Sequence, residues 1–217
     1  MTLAIFDLDN TLIGGDSDSL WGEFLVEKNV VDGEFYGSEN QRFYEEYKAG
    51  TLDIFEFLRF SLKPIADNAI DDLLDLRSIF IQEKIQKILL PKANELLESH
   101  RKRGDTLLII TATNRFVTAP IAEMLGVEHL LATEPEMVNG QYTGNIEGTP
   151  CFQEGKVVRL QEWLKGCDEN LEGSYFYSDS HNDLPLLKQV TTPVAVDADD
   201  ILTEFAKENG WQRLSLR

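Results

Sequence analysis

Apolar residues along this chain follow two spacings. Leu3-Ala4-Ile5-Phe6, Thr106-Leu107-Leu108-Ile109-Ile110, Ser174-Tyr175-Phe176-Tyr177 and Pro193-Val194-Ala195-Val196 are short runs, apolar at almost every position. Such runs are too short for helices, and their lack of polar alternation suits strands of a parallel sheet buried on both faces. Elsewhere the apolar positions recur every three or four residues, the period of an amphipathic helix. Leu20, Trp21, Phe24 and Leu25 start one such helix, with Asp18 or Ser19 as its N-cap. Segments Glu34 to Lys48, Leu52 to Leu62 and Asn68 to Lys87 continue the pattern, with Gly50 and Pro64 as breaks. Pro91 opens a further helix that Gly104 closes, and another runs to Leu125 before Gly126. Later helices start at Gly155-Lys156 and span Ile201 to Glu208.

Strands alternating with helices predict an α/β fold built on a doubly wound, mostly parallel sheet. Leu130 to Thr133 reads as a short strand, and Met137 to Tyr142 as a hairpin turning on Asn139-Gly140, the dipeptide of a type I′ turn. Roughly seventy helical residues separate the first strand from the second, too many for one crossover. They predict a small all-helical cap domain, residues 14–90, inserted after the first strand of a core made of residues 1–13 and 91–217. Hinges are expected near Gly14-Gly15 and Leu89-Leu90, so that the cap can close and exclude water.

Charge narrows the partners. The 217 residues carry a net charge of -18, which argues against nucleic acid and anionic membrane as partners, since both reward Lys and Arg. No stretch has the length of a membrane span, and the N-terminus lacks the basic region of a signal peptide. Two cysteines, Cys151 and Cys167, form neither a C-x-x-C pair nor a disulfide framework, which fits reduced thiols in a cytoplasmic protein. His100, His129 and His181 lack metal-ligand spacing.

The chemistry gathers where apolar runs end. The first strand breaks into Asp7-Leu8-Asp9, two carboxylates that point the same way in an extended segment. Held that close they repel, unless one is protonated or a cation sits between them, and hard oxygen ligands favour Mg2+. Thr111 and Asp179 follow two other runs, and ligands collect at the carboxyl ends of parallel strands. Lys156, near a helix start, would bring fixed positive charge to an otherwise repulsive crevice. Asp179 and Asp183 lie one turn apart, a metal ligand and a residue that orients it.

Phe6-Asp7-Leu8-Asp9-Asn10-Thr11-Leu12 resembles the first motif of the haloacid dehalogenase superfamily, most of whose members are magnesium-dependent phosphohydrolases. Thr111, Lys156 and Asp179 with Asp183 fall in the order of its other three motifs, so the resemblance covers essentially the whole chain. The helical insert and Glu154-Gly155-Lys156 resemble its phosphoserine phosphatase-like branch. The resemblance implies that Asp7 is the nucleophile and becomes an aspartyl phosphate, while Asp9 protonates the leaving alcohol and then activates water. It implies a Mg2+ site made by Asp7, the backbone carbonyl of Asp9, Asp179 and Asp183. Phosphate oxygens would meet Thr111, the amide of Ala112, Lys156 and Asn182.

Two departures bear on the substrate. Phosphoserine phosphatases commonly carry serine and glycines where this chain has Thr111-Ala112-Thr113, and a glutamate where it has Asp16. Asp16-Ser17-Asp18-Ser19-Leu20-Trp21 and Thr113-Asn114-Arg115 resemble a bacterial group of the branch that includes histidinol-phosphate phosphatases. Acids beside the cap, Asp16 and Asp18, would suit the cation of a small phosphorylated metabolite such as the amino-alcohol phosphate histidinol phosphate, with Asp16 as the expected substrate contact; the alternative is that both acids cap the helix. Phosphoserine or another amino-acid phosphate is the alternative substrate, and a phospho-accepting signalling module without turnover is the alternative class. The aromatic-rich insert is also compatible with a homodimer surface.

Overall fold

The structure is a computed structural model and describes residues 2–217. Seven strands form one sheet in the order β4-β3-β2-β1-β5-β6-β7, parallel throughout except where β3 and β4 form the hairpin. β1 (Leu3–Phe6) lies in its middle, between β2 (Thr106–Asn114) and β5 (Tyr175–Ser178). β3 (His129–Val138) and β4 (Gln141–Glu147) extend one edge, β6 (Thr192–Val196) and β7 (Gln212–Leu214) the other. Asn139 and Gly140 turn the hairpin with φ of 52° and 80°, as a type I′ turn requires.

Every residue of β1 is buried because the sheet is covered on both sides. Ala4 and Phe6 face one core with Leu97 of α6 (Pro91–Arg103) and Val117 of α7 (Arg115–Met124). Leu3 and Ile5 face the other, with Leu160 of α8 (Glu154–Leu164), Leu186 of α9 (Leu184–Leu187) and Ala206 of α10 (Asp200–Glu208). Each such aliphatic or aromatic side chain contributes about 1.5–3 kcal/mol by burial, which fixes β1 in the centre. No helix among the described residues is long and apolar enough to cross a membrane.

Between β1 and β2 run α1 (Ser17–Glu27), α2 (Gly33–Ala49), α3 (Ile54–Ser61), α4 (Lys63–Asp67), α5 (Ile70–Glu83) and a 3-10 turn at Ile85–Ile88. The two connections of this insert run side by side: Gly14 N–H donates to Ile88 O at 2.7 Å, and Ile13 bridges Leu89. Trp21 of α1 packs edge-on against Phe80 of α5 at 5.2 Å and Phe116 of α7 at 5.7 Å. One apolar cluster therefore runs from β1 through α7 into the insert. α2 and α3 pack on each other through Phe43 and Phe57 at 5.3 Å and Tyr36 and Phe60 at 4.3 Å. Phe35 and Phe55 stay exposed.

Several local expectations are corrected. The cap of α1 is Asp16 rather than Asp18 or Ser19, because its carboxylate accepts from the backbone N–H groups of both. The helix expected to run to Lys87 stops at Glu83; Lys84 caps it at φ -113°, and the chain tightens into the 3-10 turn. Pro64 marks a break as expected, between α3 and α4, and it does so from the first turn of α4, where its missing N–H has no helical partner to lose. β2 runs on through Thr111 to Asn114, and β7 is a short edge strand with no apolar run to announce it.

A buried polar network ties the start of β1 to the turn before β2. Asp105 accepts from Thr2 Oγ1 at 2.8 Å and lies 2.9 Å from His100 Nδ1, whose Nε2 is 2.9 Å from Tyr177 Oη. Burial pushes the Asp105 carboxyl up, but hydrogen bonds from His100, Thr2 and Arg103 outweigh it and hold it at about 2, against an ordinary 3.8. A carboxyl depressed in the folded state stabilises above its unfolded value and loses that contribution as pH falls through the folded one. Between pH 5 and about 2 the wild-type Tm is expected to fall more steeply than that of Asp105→Asn. Parallel acid-limb curves would contradict the assignment.

Candidate active site

Asp7 and Asp9 leave the end of β1 at the middle of the sheet. The chain reverses there: Leu12 N–H donates to Leu8 O at 2.9 Å, and Asn10 takes a φ of 56°. Asp7 is buried, with its backbone N–H on Tyr177 O of β5 at 2.9 Å. Its Oδ1 accepts from Lys156 Nζ at 2.8 Å, and the same ammonium meets Asp183 Oδ1 at 2.7 Å. Ser178 Oγ also donates to Asp183, at 2.6 Å. Three distant parts of the sequence thus meet at one buried ammonium.

Burial pushes the Asp7 carboxyl up to about 7; Asp183 and Asp9 push the same way, while Lys156 pulls it down. Burial disfavours the charge on Lys156, but Asp183 and Asp7 outweigh it and raise the lysine above its usual value. The amine therefore stays charged.

Asp9 is held separately. Its Oδ1 accepts from Ser17 N–H at 2.6 Å, and its Oδ2 from Thr113 Oγ1 at 2.9 Å and Thr111 Oγ1 at 3.4 Å. Burial and then Asp16 raise this carboxyl to about 6, against hydrogen bonds that lower it. Thr111 and Thr113 share one face of β2 by the two-residue period, where the ladder to β3 is interrupted between Ile110 and Asn114. Ala112 exposes its carbonyl to the opposite neighbour, accepting from Thr133 Oγ1 at 2.7 Å.

Asp179 lies just beyond β5 and exchanges hydrogen bonds with Thr11: Oγ1 donates to its Oδ1 at 3.2 Å and accepts from its N–H at 3.1 Å. Burial, then Asp7 and Asp183, raise its carboxyl well above the usual range. Among the described residues no three Asp, Glu, His or Cys side chains converge as a complete metal cage. Lys156 takes up Asp7 and Asp183, Thr11 engages Asp179, and Ser17 with the two threonines engages Asp9.

Asn182 is engaged as well. Its Nδ2 donates to Tyr47 O at 3.1 Å, and its Oδ1 accepts from Gln153 Nε2 at 2.9 Å, tying α2 to the start of α8. Gln153 holds φ 47° and ψ -120°, a conformation that costs a non-glycine residue about 1–3 kcal/mol. Gly155 explains the sharp turn beside it, since a Cβ there would lie 2.0 Å from Pro150 O. Cys151 is buried and its thiol pushed up to about 12 by that burial, so it is no nucleophile.

These groups open into one cavity between sheet and insert. Asp7, Asp9, Asp16, Asp18, Asp183, Lys156 and Thr111 line its floor and side; Phe43, Tyr44, Tyr47, Phe57 and Phe152 line its roof. Asp179 lies in an adjoining groove with Tyr47 and His181. The sequence motifs assign no role to Thr11, Thr113, Ser178, Tyr47 or Gln153. Thr113 was recoverable from its spacing to Thr111; Tyr47 and Gln153 reach the site only through tertiary packing.

Residues 4–188 match the family of haloacid dehalogenase-like hydrolases. The chain belongs to that family. Histidinol-phosphatase of Neisseria meningitidis serogroup C (strain 8013) is 43% identical to it over 219 residues, 99% of each chain. A solved structure of a protein with unknown function from Bordetella pertussis Tohama I is 42% identical, with a TM-score of 0.93 over the full length of both. A phosphoserine phosphatase solved as a phospho-aspartyl intermediate analogue shares the fold, with a TM-score of 0.70 and 21% identity over 100% of this chain and 93% of that one. Family and full-length relatives together make this haloacid dehalogenase-like hydrolase a phosphatase.

Within it, the turn that delivers Lys156 admits no side chain at Gly155. Gly155→Ala is expected to cost about 2–4 kcal/mol of stability and to lower phosphatase activity as Lys156 shifts. Denaturant unfolding with an unchanged midpoint would contradict this.

Proposed function

We propose that this phosphatase hydrolyses a small phosphomonoester in two steps through Asp7. A carboxylate oxygen of Asp7 attacks phosphorus as the bond from phosphorus to the ester oxygen breaks, and Asp9 gives its proton to the departing alcohol. Water then attacks the aspartyl phosphate and loses a proton to Asp9, which releases phosphate and restores Asp7. The observation that carries this reading is the pairing of Asp7 with Lys156 at 2.8 Å, next to an Asp9 held independently by Ser17 and Thr113. A carboxyl raised to about 6 can act as acid and base near neutrality. Thr111, Lys156 and the Ala112 amide are the assigned phosphate ligands.

The donor set also fits Mg2+. Asp7, Asp179, Asp183 and the Asp9 carbonyl supply hard oxygens, and Lys156 alone leaves the acids around it undercompensated. Mg2+ takes one or two carboxylates with carbonyls and waters, so a three-acid cage is not required. Bound there, it would neutralise charge building on the phosphoryl oxygens.

For the alcohol, the similarity to a histidinol-phosphatase supports histidinol phosphate, and the cavity adds a reason. Lys156 is its one cationic lining residue among those described, and it is engaged by Asp7 and Asp183. A substrate carboxylate, as in phosphoserine, would find no cation of its own there. Acid quenching during turnover is expected to trap one phosphoryl group on the Asp7 peptide. Asp7→Asn is expected to carry none and to lose about a thousandfold or more in kcat/KM. Turnover retained in Asp7→Asn would overturn the mechanism.

A further inference from the structure

The insert places one carboxylate in the cavity with nothing to bind. Asp18 lies in the first turn of α1 and lines the same cavity as Lys156. Among the described residues, no backbone or side-chain group donates a hydrogen bond to its carboxylate, and no Lys, Arg or His pairs with it. Asp16, two residues earlier, differs: its Oδ1 accepts from the N–H groups of Asp18 and Ser19 at 3.0 and 2.9 Å, so it serves the helix. Asn40 hydrogen-bonds Ser19 rather than Asp18.

An acid half-buried in a cavity without a partner is unfavourable in the free protein. Burial, and then Asp16 and Asp9, disfavour its charge. A first-turn position gains a little from the helix dipole, but that interaction needs no cavity. A ligand cation would supply what the protein does not, and Phe43, Tyr44 and Phe57, which line the same cavity, offer aromatic faces to it.

We propose that Asp18 holds the positive end of the substrate's alcohol while Lys156 and its neighbours hold the phosphate, so the cavity selects monoesters of cationic alcohols. Asp18, rather than Asp16, is then the residue that sets specificity. This rests on the phosphatase reading above and adds a charge requirement to it.

The test uses the full chain with Mg2+ and two matched series, ω-aminoalkyl phosphates and neutral n-alkyl phosphates of two to five carbons. Wild type is expected to prefer the aminoalkyl ester by about tenfold or more in kcat/KM at its best chain length. Asp18→Asn is expected to erase most of that preference through KM, Asp18→Glu to restore part of it, and Asp16→Asn, which keeps a competent cap, to disturb it less than Asp18→Asn does. Hydrolysis of both series without preference in wild type overturns the proposal and leaves the phosphatase reading standing. So does a preference that survives Asp18→Asn, or one lost more fully in Asp16→Asn. If neither series releases phosphate, both readings fall.

Discussion

One ammonium group stands between two carboxylates at the centre of this molecule. Lys156 Nζ lies 2.8 Å from Asp7 and 2.7 Å from Asp183, and all three side chains are buried. Desolvating three charges is costly, and removing the lysine would leave two acids uncompensated in the interior. The surroundings are built to hold it: Gly155 lets the chain pass under Pro150 O, Gln153 accepts a strained backbone, and Ser178 donates a second hydrogen bond to Asp183.

The sheet order makes that meeting possible. β1 sits in the centre with β2 and β5 on either side, so Asp7 and Asp179, just past the ends of β1 and β5, share one rim with Thr111 in the carboxyl half of β2. Short apolar strands bury completely and leave no freedom to slide; a one-residue slip in β1 would exchange its two cores. The insert then roofs the rim. Its α1 and α5 are seated on α7 through Trp21, Phe80 and Phe116, while α2 reaches over the site with Tyr47, whose carbonyl accepts from Asn182.

Apolar runs and turn residues made most strands and long helices legible in the sequence, because burial on both faces leaves a composition signal that needs no tertiary knowledge. The type I′ turn at Asn139-Gly140 and the positive φ of 75° at Gly104 follow from local sterics alone. What failed depended on competition between neighbours. Asp16, Asp18 and Ser19 could all cap α1, and only the path from Asp9 to Ser17 decides for Asp16. β7 is three residues, Gln212-Arg213-Leu214, whose pairing comes from β6 and not from hydrophobicity. In the site, acids at strand ends were readable, whereas Tyr47 enters from the insert and Gln153, beside Lys156, meets Asn182 only through tertiary packing.

The account depends on acids at one rim that carry more negative charge than Lys156 balances. Thermal unfolding at pH 7 across a Mg2+ titration tests this without reference to turnover. The wild-type Tm is expected to rise by several degrees toward saturation, as a ligand that binds only the folded state requires, with Asp179→Asn needing far more Mg2+ for the same rise. A wild-type Tm indifferent to Mg2+, or an equal response in both proteins, would contradict it.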